Sequence, residues 1–360
     1  MRIITQYIIR EYLKILTLGQ VTFLLIFFVV VLFERIDTII VNNAPLHLLF
    51  IYLLYATPLF FTQSLPFAIL FAALITLGIL SRNKEIVAME GNGISTYRII
   101  LPLLALAALV TIFIFFFNET IAPYSVRKSH YIWSVKIKKE EERAAFKLNK
   151  IWYHGEDNIY NIRLLEPKDN ILKGVTIYRF DKNFTLYQRI DAYEARWEDD
   201  SWNFYNVAIR DFLPGGNVVI KTYEEKNILI PEKPEDFKKG IKSPEEMSYK
   251  ELKGYVGKLR SEGYDATRYV VDLHAKVAFP FLSLIMVLIG GPIGMLVGRG
   301  RGGNIAKGVG ISSLIGFAYW LVFAMFTAMG HSGTLPALIA AWAPNVFFGL
   351  AGWFILESIH

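Results

Sequence analysis

The sequence predicts an α-helical membrane protein with six transmembrane helices and an all-β domain inserted between helices 3 and 4. Three observations support this fold class. The chain is 54% hydrophobic and only 19% charged, which is unusual for a soluble domain. Several apolar stretches reach about 20 residues, the length that crosses a bilayer. The middle of the chain, in contrast, is charged, aromatic and rich in β-branched residues.

The first membrane region is predicted to cover residues 1–123 and to contain three spans. Their apolar cores are residues 15–33, 46–80 and 99–117. As a helix, the second run would measure roughly 50 Å against a hydrocarbon core of about 30 Å, so part of it is expected outside the bilayer. Pro58 and Pro66 are expected to kink it. The amphipathic turns before the first span are expected at the membrane interface.

The central region, residues 124–247, is predicted to be a β domain followed by a charged linker. Strand-like segments alternate with turn signals such as Pro214-Gly215-Gly216. Alternation of apolar and polar residues between 189 and 209 indicates a sheet with one buried face. The predicted strands are residues 150–165, 174–180, 186–197, 202–211 and 218–223. A small antiparallel sandwich or an open roll is expected.

The second membrane region is predicted over residues 248–360. The run Ser248-Tyr-Lys-Glu251 has the form of a capping box and should begin a helix that precedes the membrane. Three further spans follow, with apolar cores at residues 277–297, 306–329 and 335–356. The glycines and prolines of the fourth span predict a bent helix.

The distribution of basic residues predicts which ends of the spans face the cytoplasm. With the N-terminus inside, the inner segments hold nine basic residues and the short outer loops hold one, Arg35. The nine are Arg2, Arg10, Lys14, Arg82, Lys84, Arg98, Arg299, Arg301 and Lys307. Both termini and the loop between the second and third spans are therefore expected inside, and the β domain outside.

Residues 81–95, with the sequence SRNKEIVAMEGNGIS, form the largest polar segment on the predicted inner side. Their composition alone is typical of a connecting loop. If the segment is helical, Ile86, Val87 and Met89 form a small apolar face, and Gly91-Asn92-Gly93 ends the helix. Such a helix would lie on the membrane surface, where a soluble partner could bind it.

The sequence lacks the features of several other functional classes. The central parts of the six spans contain no Asp, Glu, Lys or Arg, which argues against transport driven by an ion gradient. The chain has no GxxxxGK[ST] loop, no HExxH or GxSxG motif, and no cysteine. We therefore predict no catalytic residue, metal site, cofactor or nucleic-acid partner. A transporter of this kind would need an energy source in another subunit.

Three short motifs share the order and spacing of a known family. The first has the pattern R-x-x-E-h-x-x-M-x-x-x-G and comprises Arg82, Glu85, Met89 and Gly93. The second is Glu119-Thr-Ile-Ala-Pro123 at the outer end of the third span, and the third is Gly263-Tyr-Asp-Ala-Thr-Arg-Tyr269 before the fourth. With its six spans and inserted β domain, the whole chain resembles the LptF/LptG permeases of the lipopolysaccharide export ABC transporter.

This resemblance implies that the chain is one permease subunit of an ATP-driven exporter in the bacterial inner membrane. Its partners would be a second homologous six-helix permease and a dimer of cytoplasmic ATPase subunits. Lipopolysaccharide would be extracted between the first and fifth helices of the facing subunits. A jellyroll-like periplasmic β domain would then pass the lipid to periplasmic bridge proteins with similar domains. Residues 151–160 and 174–180 resemble the LptG type more than LptF.

The resemblance also implies two sets of site residues. Residues 81–95 would be the coupling helix that docks into the ATPase, and its expected coupling residues are Arg82, Glu85, Met89, Glu90 and Gly93. Aromatic side chains of the first and fifth spans would face acyl chains, and cations near the outer headgroup plane would pair with phosphates. The expected lipid-contact residues are Phe27, Arg35, Arg127, Lys128, Phe317 and Trp320.

Two other functions stay open from the residues alone. A non-transporting scaffold or sensor would bind a periplasmic protein through the β domain and signal through the cytoplasmic loop. A membrane enzyme that modifies lipids is the least favoured alternative, because no motif in the chain supplies its chemistry.

Overall fold

The architecture was obtained from a computed structural model of the chain. It describes residues 2–139, 144–147, 150–154, 158–166, 170–181, 184–198, 201–213, 217–234, 237, 243–261, 265–299 and 305–359. The chain forms two compact units, a helical unit of residues 1–139 and 244–360 and a β unit of residues 140–243. The predicted fold class is confirmed, since a β domain interrupts a helical membrane region.

The described part of the helical unit contains six helices that are long and apolar enough to cross a membrane. These spans are α1 (Arg2–Val41), α2 (Leu46–Arg82), α4 (Thr96–Tyr131), α6 (Thr267–Arg299), α7 (Ile305–His331) and α8 (Ala337–Ile359). Two shorter helices accompany them, α3 (Glu85–Gly91) between α2 and α4, and α5 (Tyr249–Ser261) before α6. A π-helical turn, Ile132–Ile137, continues α4.

Three of the spans are clearly longer than the apolar runs that predicted them, and one of these is α6, which begins at Thr267 rather than at residue 277. α1 begins at Arg2, so the amphipathic N-terminal turns belong to the same helix as the first span. α4 continues to Tyr131, beyond residue 123, where the β domain was expected to begin. The length of an apolar run reports contact with hydrocarbon, whereas helical hydrogen bonding continues into the polar residues that follow.

The centre of the helical unit is the contact between α2 and α6. Three glycines of α6 spaced four residues apart, Gly290, Gly294 and Gly298, face α2. A Cβ atom added at Gly294 would lie 2.4 Å from the carbonyl oxygen of Leu74, and one at Gly298 would lie 2.4 Å from that of Gly78. No side chain fits at these distances, so the two backbones pack directly against each other.

The other spans pack around this contact and differ in how much surface they leave open. α2 and α6 are the most buried spans, whereas α1 and α7 expose most of their length. α1 packs on α2, and α7 packs on α2, α6 and α8. The exposed faces of α1 and α7 are apolar, so lipid or another membrane protein must cover them.

The β unit is an antiparallel sheet of seven strands in sequence order. The strands are β1 (Ala144–Lys147), β2 (Lys150–His154), β3 (Asn158–Glu166), β4 (Ile171–Phe180), β5 (Leu186–Glu198), β6 (Ser201–Phe212) and β7 (Val218–Asn227). The strand predicted over residues 150–165 is a hairpin, β2 and β3. The sequential order is that of a meander, and the described strands do not form the second sheet that a jellyroll has.

One face of the sheet is buried, as the alternation of the sequence predicted. Trp202, Phe204, Tyr160 and Phe237 lie at the centre of this core. The Tyr160 hydroxyl donates a hydrogen bond to the buried carboxylate of Glu232, and Trp202 Nε1 donates to the Glu232 carbonyl oxygen at 2.8 Å. Burial and the hydrogen bond to Glu232 raise the pKa of Tyr160 above its usual range.

Replacing Gly294 with Leu is expected to destabilise the helical unit, because the new side chain collides with the α2 backbone. Overpacking of this kind typically costs about 1–3 kcal/mol. The Tm of the purified full-length chain in detergent should fall. Gly310→Leu is the matched control, since no atom lies within 4 Å of a Cβ at that α7 position. Equal Tm values for the two variants would contradict the close α2–α6 contact.

Candidate functional site

α3 is a seven-residue helix between two spans, within the segment where a coupling helix was expected. Ile86 is fully buried in the helical unit, and Met89 packs against the same core. Lys84 precedes the helix with a φ of 60°, and Gly93 follows it with a φ of 82°. Left-handed residues turn the chain sharply, here at both ends of the helix. α3 is therefore a packed corner between α2 and α4 and not an irregular loop.

Glu90 joins α3 to the end of α6. Both of its carboxylate oxygens accept from Arg299 Nη2 at 2.8 Å, and Oε1 also accepts from Thr96 Oγ1 at 3.1 Å. Arg299 is the last residue of α6, the helix that packs along α2. Glu90 is thus engaged within its own chain, and its partner Arg299 stands 209 positions away in the sequence.

The remaining face of α3 is open to solvent and could contact a partner. Its exposed residues, with those just before the helix, are Arg82, Asn83, Lys84, Val87, Ala88 and Gly91. Val87 is 49% exposed. Of the expected coupling residues, Arg82 and Gly93 are exposed and Glu85 is half-buried, whereas Met89 and Glu90 contact the helical unit itself. Val87 was expected on the same apolar face as Ile86, but Val87 is exposed whereas Ile86 is fully buried.

Arg35, an expected lipid contact near the end of α1, lies against the turn that follows α4. Its guanidinium carbon is 4.3 Å from the centroid of the Trp133 ring, and its Nη2 is 3.8 Å from Glu34. The side chain is 33% exposed. The cation–π contact holds the end of α1 beside α4 and leaves one part of the guanidinium open to a ligand.

Arg127 and Lys128 lie in the last two turns of α4. Arg127 Nη1 is 3.5 Å from the Glu251 carboxylate, and Lys128 Nζ is 5.7 Å from the centroid of the Tyr131 ring. Both contacts are at the surface, where such interactions contribute little to stability. Both cations therefore remain available to an anionic group. Arg127 and Lys128 thus lie in the last turns of α4, and Arg35 contacts the turn that follows α4.

The expected aromatic contacts differ in exposure. Phe27 of α1 stacks on Phe60 of α2 and is partly buried, so it stabilises the α1–α2 contact. Phe317 and Trp320 of α7 are 61% and 56% exposed, and their rings stack with centroids 6.1 Å apart. α1 and α7 each pack on α2, and Phe60, on which Phe27 stacks, lines a cavity that Trp320 also lines.

An apolar cleft of about 450 Å³ opens between α1 and α2. Its lining residues are Phe28, Val29, Leu32, Phe33, Phe50, Leu53, Leu54 and Thr57. Thr57 is the one polar residue in this lining, and its hydroxyl donates to the Leu53 carbonyl oxygen at 2.7 Å. The cleft therefore suits a hydrocarbon chain. The sequence did not indicate the α2 side of this cleft, because α2 is apolar all round and presents no periodic face.

Glu119, from the second family motif, caps the helix that leads back to the membrane. Its Oε2 accepts from the Tyr249 backbone N–H at 2.6 Å, and its Oε1 accepts from that of Lys250 at 3.2 Å. The predicted capping box is confirmed, since Ser248 N donates to Glu251 Oε2 at 3.0 Å and Glu251 N donates to Ser248 Oγ at 3.1 Å. Two carboxylates thus satisfy the free N–H groups of the first turn of α5.

These features describe a six-span membrane protein with a short helix packed at one end of its bundle and a β domain inserted between its third and fourth spans. Residues 6–358 match the family described as lipopolysaccharide export system permease LptF/LptG, and the chain belongs to this family. It is similar to the LptG permease protein of Escherichia coli K12, with 23% identity over 310 residues and 81% of each chain covered. The LptG protein of Haemophilus influenzae is 23% identical over 301 residues, which cover 81% of this chain and 80% of that protein. The predicted resemblance, including that to the LptG type, is confirmed.

Replacing Glu119 with Ala is expected to destabilise α5, because two N–H groups lose their acceptor. The loss of an N-terminal cap costs about 0.5–2 kcal/mol. Hydrogen–deuterium exchange should show faster exchange at Tyr249 and Lys250. Glu224→Ala, which removes an exposed carboxylate on β7, is the control and should leave α5 unchanged. Unchanged exchange at Tyr249 in the Glu119 variant would refute the capping role.

Proposed function

We propose that this chain is a permease subunit of an ATP-driven complex that extracts lipopolysaccharide from the bacterial inner membrane and passes it to a periplasmic bridge. The observation that carries the proposal is the match to the LptF/LptG family over nearly the whole chain, membrane helices and β domain together. The chain would work with a second permease and a pair of cytoplasmic ATPase subunits. Both termini and α3 would face the cytoplasm, and the β unit would face the periplasm.

In this proposal α3 receives the movement of the ATPase. Its open face, centred on Val87, would enter a groove on the ATPase, and Arg82 and Lys84 would contact the edge of that groove. Glu90 would serve within the permease, because its ion pair with Arg299 connects α3 to α6. The close α2–α6 packing would then carry a displacement of α3 into the centre of the helical unit.

The lipid would contact the exposed apolar faces of α1 and α7. The cleft between α1 and α2 suits an acyl chain, and Phe317 with Trp320 gives α7 a matching aromatic surface. Arg35 follows the α1 residues that line the cleft, and Arg35, Arg127 and Lys128 would contact phosphates of the headgroup. The second permease would complete the wall of the site.

The β unit offers an edge for a protein partner. β7 is paired with β6 alone among the described strands, and its side chains are exposed along nearly its whole length. An unpaired edge strand can add a strand from another sheet. This edge supports the proposed contact with periplasmic bridge proteins.

Replacing Val87 with Glu should weaken association with the ATPase by placing a charge in an apolar groove, while membrane insertion stays intact. Co-purification of the ATPase with the tagged permease measures the effect, and a loss of about tenfold corresponds to 1.4 kcal/mol. Val41→Glu is the matched control, since Val41 is also exposed but lies at the opposite end of the bundle. Undiminished co-purification of the Val87 variant would refute the coupling role.

Photo-cross-linking residues placed at Phe33 and Phe317 should form adducts with lipopolysaccharide, and one at Phe347 of α8 should not. All three side chains are well exposed, so accessibility alone does not separate them. Adding Arg35→Glu should reduce the Phe33 adduct, because a phosphate contact is replaced by repulsion. Equal adducts at the three positions would contradict the proposed lipid path.

A further inference from the structure

A second cavity, of about 540 Å³, lies within the helical unit between α2, α4, α6 and α7. Its volume falls within the range of about 300–1,000 Å³ that is usual for ligand-binding pockets. Most of its wall is apolar, and the largest of these side chains are Leu59, Phe60, Phe67, Phe279, Trp320 and Phe323. The expected lipid-contact residues other than Trp320 do not line it, so it is separate from the cleft between α1 and α2.

Four ionisable residues also line this cavity, namely Glu245, Asp272, Lys276 and His331. Asp272 and Lys276 belong to the first three turns of α6, and His331 is the last residue of α7. They therefore gather at one end of the bundle, and the apolar wall extends from them toward its middle. This arrangement matches a lipid, whose polar headgroup lies at the membrane surface and whose chain enters the hydrocarbon region.

The charges in the cavity are only partly matched by one another. His331 Nε2 pairs with Asp272 Oδ1 at 2.8 Å. Lys276 and Glu245 make no direct hydrogen bond or ion pair with any residue that the structure describes, although both line the same space. Lys276 is half-buried, whereas Glu245 is exposed. An ammonium and a carboxylate that share a cavity without touching leave room for a ligand that carries both charges.

We propose that this cavity binds one phospholipid with a phosphoethanolamine headgroup, whichever lipid the permease exports. The phosphate accepts hydrogen bonds from Lys276 Nζ, and the primary ammonium of the headgroup donates to the Glu245 carboxylate. One acyl chain lies along the wall formed by Phe60, Phe67 and Phe323. Lys276 is half-buried, so leaving its charge unmatched is costly, and Glu245 is exposed at the mouth of the cavity, where the headgroup ammonium would lie.

Other lipid headgroups fit the cavity less well. An anionic headgroup without an ammonium would pair with Lys276 but would be repelled by Glu245 and Asp272. A choline headgroup carries no N–H to donate to Glu245. The positions of the charges therefore select a zwitterionic lipid with a primary ammonium over anionic and quaternary lipids.

Native mass spectrometry of the purified full-length chain tests this assignment. The detergent-solubilised chain is mixed with phosphatidylethanolamine, phosphatidylcholine or phosphatidylglycerol of identical acyl chains. Phosphatidylethanolamine is expected to show about tenfold higher occupancy than phosphatidylglycerol, and Lys276→Met should lower that occupancy about tenfold, the effect of one charge-assisted hydrogen bond. Lys253→Met, on the exposed face of α5, is the matched control and should leave the occupancy unchanged.

A second variant leaves the four ionisable residues of the cavity unchanged and fills the cavity with a larger side chain. Ala275 lines the cavity, so Ala275→Trp should exclude the acyl chain and abolish phospholipid retention at an unchanged Tm. Equal occupancy by phosphatidylglycerol, or full retention in both the Lys276 and the Ala275 variants, would overturn the assignment. Preferential occupancy by lipopolysaccharide over phosphatidylethanolamine would also overturn it and would make the cavity part of the export path.

Discussion

The rest of the helical unit depends on the direct backbone contact between α2 and α6. Within a membrane, helices gain little from burying apolar surface, because lipid is as apolar as a side chain. Association relies instead on close van der Waals contact, which Gly290, Gly294 and Gly298 permit by presenting no side chain to α2. Ser81 adds a hydrogen bond to the Met295 carbonyl oxygen at 2.7 Å, where both helices end.

α6 connects the two ends of the unit. Near its first residues lie the ionisable groups of the second cavity, and its last residue, Arg299, binds Glu90 of α3. With 33 residues at 1.5 Å per residue, the helix extends roughly 50 Å. Pro280 and Pro292 lie within this helix, at positions where a proline bends a helix. α6 therefore joins the residue that binds α3 to the residues that line the second cavity.

The β unit is organised by its own core and needs no contact with the membrane helices to bury its apolar face. The buried Glu232 carboxylate is tolerated because the Tyr160 hydroxyl donates to it. Outside this core, Asp191 accepts from Thr176 Oγ1 at 2.9 Å and from Arg189 Nη2 at 2.8 Å, and it also pairs with Arg210. Such polar contacts fix the register of β4, β5 and β6 on the outer face.

The sequence by itself determined the six spans, the position of the β insertion and the start of α5, because each depends on local signals. Apolar length, strand alternation and the Ser248–Glu251 capping box all act between near neighbours. The motif from Arg82 to Gly93 likewise indicated the position of α3, although the composition of residues 81–95 alone is typical of a loop. The same local signals placed the ends of α1 and α4 less well, since a helix continues after its apolar residues stop.

Only the tertiary structure decided which residues face which partner. Spans that are apolar on all sides carry no periodic signal, so the sequence could not show that Phe27 is packed against α2 while Phe317 is exposed. Nor could it pair Glu90 with Arg299 or Glu119 with the α5 backbone, because these groups are more than a hundred residues apart. Side chains distant in sequence meet only when helices pack, and packing here is set by three glycines.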